Sequence, residues 1–165
     1  MKIIDKLNRG DKIRISFEVF PPKTDAGVDK VMEATDRIAA LKPSYISVTY
    51  GAGGGTSKNT ARIANHIKSD LGVESLAHLT CASSKKEEVR KVVADLKALG
   101  IENILALRGD IPQGMPFPTA DRFRYAYELV EEIRKSGDFC VGAACYPEGH
   151  VENEHKADDI KYLKQ

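Results

Sequence analysis

Five short apolar runs alternate with amphipathic stretches at intervals of roughly 30 residues, the repeat of a strand–helix–strand unit, and this alternation constrains the fold most. The runs cover residues 13–20, 45–50, 75–81, 103–107 and 139–146. Several are nearly continuous in Val, Ile, Leu and Ala, as expected of strands covered on both faces. Between them lie helical stripes. Val28, Val31, Met32, Thr35, Ile38 and Ala39 form the first; Ile63, Ile67 and Leu71 form the second. Val89, Val92, Val93, Leu96 and Leu99 form the third; Ala126, Leu129, Val130 and Ile133 form the fourth. Ser84 with Glu87 fits a capping box before the third helix, and Gly100, Gly72 and Gly137 stand where helices should close. A last helical pattern starts near Lys156, with Ile160 and Leu163, and reaches Gln165 without a stop signal. The chain is therefore expected to break off inside a helix.

Strands alternating with helices imply right-handed crossovers and a parallel sheet, either doubly wound or part of a barrel. Periodicity does not separate the two, but the placement of polar and Gly-rich residues does. They gather at strand ends: Glu18 with Pro21 and Pro22, Thr49-Tyr50-Gly51, His78 with Thr80, Arg108-Gly109-Asp110, and Tyr146-Pro147-Glu148 with His150. An open sheet works only at its switch point, whereas a barrel gathers every C-terminal strand end into one rim. The expected fold is α/β, an incomplete (β/α)8 TIM barrel contributing its first five units. Residues 1–165 then form one domain.

Composition narrows the function classes. Lys and Arg number 25 against 24 Asp and Glu, so no net field favours nucleic acid. No apolar run approaches the ~20 residues that span a bilayer, and no secretory pattern opens the chain. A cytoplasmic protein is expected. Cys81, Cys140 and Cys145 form no CxxC pair and read as reduced core residues. Cys140, Cys145 and His150 could be drawn as a metal site, but their spacing matches no zinc pattern, and no metal is expected.

Glu18 is the sharpest single signal, a carboxylate inside the mostly apolar Ile-Ser-Phe-Glu-Val-Phe. Burial there would favour its protonated form, which suits a general acid. An outward-facing edge position or a structural ion pair is the plain alternative. The loop from Gly51 to Thr56 looks like a dinucleotide fingerprint but puts Thr56 where the third glycine belongs. It is equally well a flexible loop. Arg108-Gly109-Asp110 reads as a rim turn with Asp110 facing the mouth, or as a solvated ion pair. His78 alone would be a satisfied core histidine; its alternation with Thr80 puts both on one side of a strand.

Taken in order, Phe17-Glu18-Val19-Phe20-Pro21-Pro22-Lys23, Ser47-Val48-Thr49-Tyr50-Gly51-Ala52-Gly53-Gly54, Ala77-His78-Leu79-Thr80-Cys81, Leu105-Ala106-Leu107-Arg108-Gly109-Asp110 and Tyr146-Pro147-Glu148-Gly149-His150 resemble the successive strand-end motifs of the methylenetetrahydrofolate reductases. The resemblance implies FAD across the rim, NADH or NADPH as co-substrate, and reduction of 5,10-methylenetetrahydrofolate to 5-methyltetrahydrofolate. It implies Glu18 as the acid that helps open the folate ring and Asp110 as the carboxylate near flavin and pterin. Thr49, His78, Arg108, Gly109, Asp110, Tyr125, Ala126, Tyr146, His150 and Asp159 match flavin contacts.

The family barrel continues for three more units, so the sequence also admits a non-catalytic fragment that at most binds FAD. A third reading is another pterin-acting barrel enzyme such as a methyltransferase, which would not require the Glu18 strand followed by Pro-Pro-Lys. A five-strand segment exposes its first and fifth strands, so homo-oligomer formation or self-association through those edges is expected.

Overall fold

A computed structural model describes residues 1–10, 13–22, 24–51, 57–150 and 152–164. Its elements alternate as expected. They run α1 (Ile3–Leu7), β1 (Ser16–Val19), α2 (Val28–Ala39), β2 (Tyr45–Val48), α3 (Ser57–Asn65), β3 (Ser75–Thr80), α4 (Lys86–Ala98), β4 (Asn103–Leu107), α5 (Ala126–Ser136), β5 (Cys140–Ala143) and α6 (Lys156–Leu163). The strands form one parallel sheet in the order β1-β2-β3-β4-β5. Each right-handed crossover therefore steps the same way, and the helices collect on one face. A doubly wound sheet would reverse its order at a switch point; this one never does. The order is that of a barrel wall.

The two sheet faces differ. Ile46, Val48, Ala77, Leu79, Ile104 and Ala106 are fully buried against the helices, with Ile63, Ile67, Val93, Leu129 and Ile133 facing them from the helix stripes. The alternate positions Leu76, Thr80, Leu105, Leu107 and Gly142 are only half-buried. Period-2 alternation sorts the chain into a packed outer layer and an open inner face.

Strand ends are shorter than the apolar runs. β1 pairs only from Ser16 opposite Tyr45 to Val19 opposite Val48, so Ile13 (92% exposed) and Phe20 (67%) lie outside the ladder. Composition marks where a strand can form; the hydrogen-bonding neighbour sets where it stops. β5 likewise has four rungs, from Cys140 opposite Asn103 to Ala143 opposite Ala106.

The helix caps correct two expectations. α4 starts one residue later than the capping-box pattern suggests: Glu88, not Glu87, reaches back, its Oε2 accepting the Lys85 N–H at 2.7 Å. Gly100 takes the left-handed conformation (φ 69°) that closes a helix, whereas Gly137 is extended and ends α5 without that turn. A π-helical turn, His66–Asp70, continues α3 and keeps Ile67 on the buried stripe.

No periodicity announces α1, a five-residue helix. It sits at the N-terminal end of the sheet, where the Ile3 N–H donates to Asn103 Oδ1 at 2.8 Å. Asn103 Nδ2 in turn donates to the Ser75 carbonyl at 3.3 Å. Because Asn103 and Ser75 each begin a strand, α1 covers the bottom and leaves the C-terminal rim to the site.

Candidate functional site

Two groups of polar side chains stand at the C-terminal side of the sheet. The first spans β1, β2 and β3. Glu18, Ser47 and His78 share the inner face, since Glu18 is in register with Ser47, Ser47 with Leu76, and His78 follows Leu76 by one period-2 step along β3. Ser47 Oγ donates to Glu18 Oε2 at 3.2 Å, and His78 Nε2 lies 3.4 Å from the same oxygen. His78 is nearly buried at 10%, while the Glu18 side chain is 45% exposed. The expected burial of Glu18 is thus not found: it lies on the open inner face, where no layer of the described residues covers it. Burial lowers the pKa of His78, and the neighbouring Glu18 carboxylate only partly opposes this. His78 therefore stays neutral to lower pH than a free imidazole and can meet the carboxylate as an N–H donor.

The second group joins the loops after β4 and β5. Arg108 makes a two-pronged pair with Glu152, Nη1 to Oε2 at 2.6 Å and Nη2 to Oε1 at 2.8 Å. The Arg108 guanidinium holds the Glu152 carboxyl below the usual carboxylate range. The solvated ion pair read into Arg108-Gly109-Asp110 is thus formed with Glu152 instead; Asp110 is exposed at the rim. Tyr146 meets His150 edge-to-face at 4.9 Å. Asp159 accepts the His150 N–H and, at 2.6 Å, an Asn153 side-chain N–H. These two bonds hold its carboxyl below the ordinary range, that of Asn153 contributing most. His150 Nδ1 accepts the Glu152 N–H at 3.2 Å, so the neutral ring carries its proton on Nε2.

Gly109 lets β4 end close against β3. Its φ is 78°, and a Cβ there would lie 2.7 Å from Thr80 Cβ. The same junction bonds the Arg108 carbonyl to Cys81 N (3.1 Å) and Ala82 N (2.9 Å). Cys81 is buried, which pushes its thiol up to about 12 and leaves it a core residue. Thr49 is fixed through its backbone: its N–H donates to the Val19 carbonyl and its carbonyl accepts the Thr60 hydroxyl, both at 3.0 Å. Tyr125 precedes α5, its N–H bonded to Glu128 Oε2 at 2.9 Å and its ring stacked on Tyr127 at 5.7 Å. Ala126 is the first residue of that helix.

The structure therefore joins Glu18 to His78, and Tyr146 and Asp159 to His150, with Arg108 linked through Glu152. It leaves Thr49, Asp110, Tyr125 and Ala126 outside those contacts. Lys23 and residues 52–56, which carry the end of the Pro-Pro-Lys motif and most of the glycine-rich loop, lie outside the described residues. Sequence reasoning missed Ser47 and Glu152. Ser47 was detectable as a polar residue alternating with Thr49 in an apolar strand; nothing in the sequence pairs Glu152 with a residue 44 positions away.

The sequence profile described as methylenetetrahydrofolate reductase matches residues 2–165. The chain belongs to the methylenetetrahydrofolate reductase family. It is 39% identical over 153 residues to the 5,10-methylenetetrahydrofolate reductase of Pectobacterium carotovorum subsp. carotovorum, covering 93% of this chain and 50% of that protein. The probable methylenetetrahydrofolate reductase (NADH) of Oryza sativa subsp. japonica is 39% identical over 181 residues, covering 100% of this chain and 30% of that protein. The chain thus spans half the length of the bacterial relative and less of the plant one. Among solved structures, the 4-hydroxy-tetrahydrodipicolinate synthase of Methylacidiphilum fumariolicum SolV superposes with a TM-score of 0.57 at 12% identity. It covers 92% of this chain and 50% of its own, and it confirms the fold alone: a TIM barrel of which this reductase-family chain supplies the first five units.

Proposed function

We propose that these five units carry the flavin rim and the acid of an FAD-dependent reduction of 5,10-methylenetetrahydrofolate to 5-methyltetrahydrofolate, with NADH or NADPH as reductant. One observation supports this most: Glu18 stands on the open inner face, reachable by a ligand, and is held there by Ser47 and His78. The relatives' names give the substrate class.

The donor set fits a flavin dinucleotide. Arg108 has guanidinium N–H groups beyond the two given to Glu152, His150 presents an Nε2–H, and Tyr125 and Tyr127 offer exposed stacked rings. These suit diphosphate oxygens and an aromatic base. Held by these residues, FAD would supply hydride transfer between the nicotinamide and the folate. Glu18 gives a proton to the folate ring nitrogen that leaves as the ring opens. His78 and Ser47 fix the carboxyl group toward that nitrogen. Asp110 sets a negative charge beside flavin and pterin. Gly109 brings the β4 end close without a side chain in the way. Thr49, Tyr146 and Asp159 complete the rim, Asp159 by holding the loop that presents His150.

The test completes the barrel. A chimera continues these residues with the C-terminal half of the Pectobacterium relative, and anaerobic stopped-flow absorbance follows the flavin. NADH or NADPH is expected to bleach it and methylenetetrahydrofolate to restore it. A flavin that folded chimera binds but methylenetetrahydrofolate never reoxidises would overturn the proposal.

A further inference from the structure

Ser47 is 6% exposed, yet it carries a hydroxyl on the face that holds the acid. Its Oγ lies between two acceptors, Glu18 Oε2 at 3.2 Å and the Phe17 carbonyl at 3.4 Å. A hydroxyl has one proton and two lone pairs, so it donates to one of these at a time. Buried as it is, it draws its partners from the protein, and an unmade bond there would cost free energy in whichever state lacked it.

We propose that Ser47 is a positioning residue whose hydroxyl turns with the protonation state of Glu18. When Glu18 is ionised, Ser47 donates to its Oε2. When Glu18 carries its proton, Ser47 turns to donate to the Phe17 carbonyl and accepts the Glu18 O–H on its own oxygen. No bond of Ser47 breaks; its O–H rotates about Cβ–Oγ. Among the described residues, the groups facing Glu18 are Ser47 from β2 and His78 from β3, and His78 can donate to the carboxyl group in both states. The acid is thus held in one place before and after it releases its proton, which a general acid needs to deliver to a fixed nitrogen. This rests on the reading of Glu18 as the acid and deepens it.

Infrared difference spectroscopy on the 165-residue chain tests it without requiring turnover. Spectra taken across an acid titration show the C=O stretch of protonated carboxyl groups, and the Glu18 band is the one absent from Glu18→Gln. In Ser47→Ala, the protonated Glu18 loses an acceptor, and its band is expected to move to higher wavenumber. Ser47→Thr keeps the hydroxyl and is expected to leave the band in place. An unmoved band in Ser47→Ala, with helix content by circular dichroism equal to the parent, would overturn the proposal. So would a band displaced equally by Ala and Thr. The acid reading fails separately: in the chimera, Glu18→Gln with an unchanged folate half-reaction would remove the acid and leave the infrared result standing.

Discussion

At the scale of single residues, the site depends on which side chain meets which partner. Glu18 was legible because a lone carboxylate in an apolar strand demands a reason. Its exposure was not, since burial on the inner face depends on what lies opposite rather than on neighbours in sequence. Glu152 was hidden, since its partner Arg108 lies at a distant strand end, whereas Ser47 left its alternation with Thr49 as a signal. In the chimera, Glu18→Gln should keep FAD and its reduction by nicotinamide while slowing reoxidation by methylenetetrahydrofolate at least about a hundredfold, the scale of a lost general acid. Stopped-flow measurement of both half-reactions checks this, and a reoxidation rate near that of the parent would remove Glu18 from the chemistry. Asp110→Asn removes a negative charge that would disfavour the anionic reduced flavin through poorly screened repulsion. The midpoint potential should rise and folate binding weaken. Potentiometric titration giving an unchanged or lower potential would contradict that role.

Elements were read more accurately than residues, because periodicity reports directly on which face packs. The buried stripes fall where the 3.6-residue spacing put them, with Ile63, Ile67, Val93, Leu129 and Ile133 all at the sheet. Ends were read less well, since ladder partners and cap geometry decide them. Two junctions give predictions. At the end of β4, Gly109→Ala would combine a left-handed backbone with a Cβ pressed on Thr80. A loss on the order of 1–3 kcal/mol is expected from the backbone conformation alone, and denaturant melts measure it. On the outer layer, His66 ties the π-helical turn to α2: Nδ1 lies 2.7 Å from Asp70 and Nε2 2.8 Å from Asp36. Burial opposes its charge, but the hydrogen bonds to Asp70 and Asp36 outweigh that and raise its pKa. A raised folded-state value means that the stabilisation is complete below the unfolded histidine value, about 6.5. It then fades as pH climbs through the folded value. His66→Gln should therefore erase a loss of stability on the alkaline side of pH 6.5, read from melts at several pH values; a parent chain equally stable across that range would refute the clamp.

For the whole molecule, the sheet order is the feature that sequence reasoning could infer only indirectly, from where the chemistry fell. The structure shows it in the uninterrupted succession β1 to β5. That succession leaves β1 and β5 as outer strands and the inner face half-covered, with Ile13, Ile15 and Phe20 exposed beside β1. Unpaired strand edges and bare apolar surface invite association. The 165-residue chain alone is expected to self-associate, as light scattering coupled to size exclusion would show; a clean monomer at tens of micromolar would contradict this. The rim is less affected than the inner face, since its matched donors come from loops that the described residues include. The decisive measurement is therefore flavin binding by this chain, read as quenching of FAD fluorescence in an equilibrium titration. Weak but saturable binding is expected, falling at least about tenfold, roughly one charge-assisted contact, in Arg108→Ala. Absence of saturable quenching, or binding indifferent to Arg108, would contradict the proposed flavin rim.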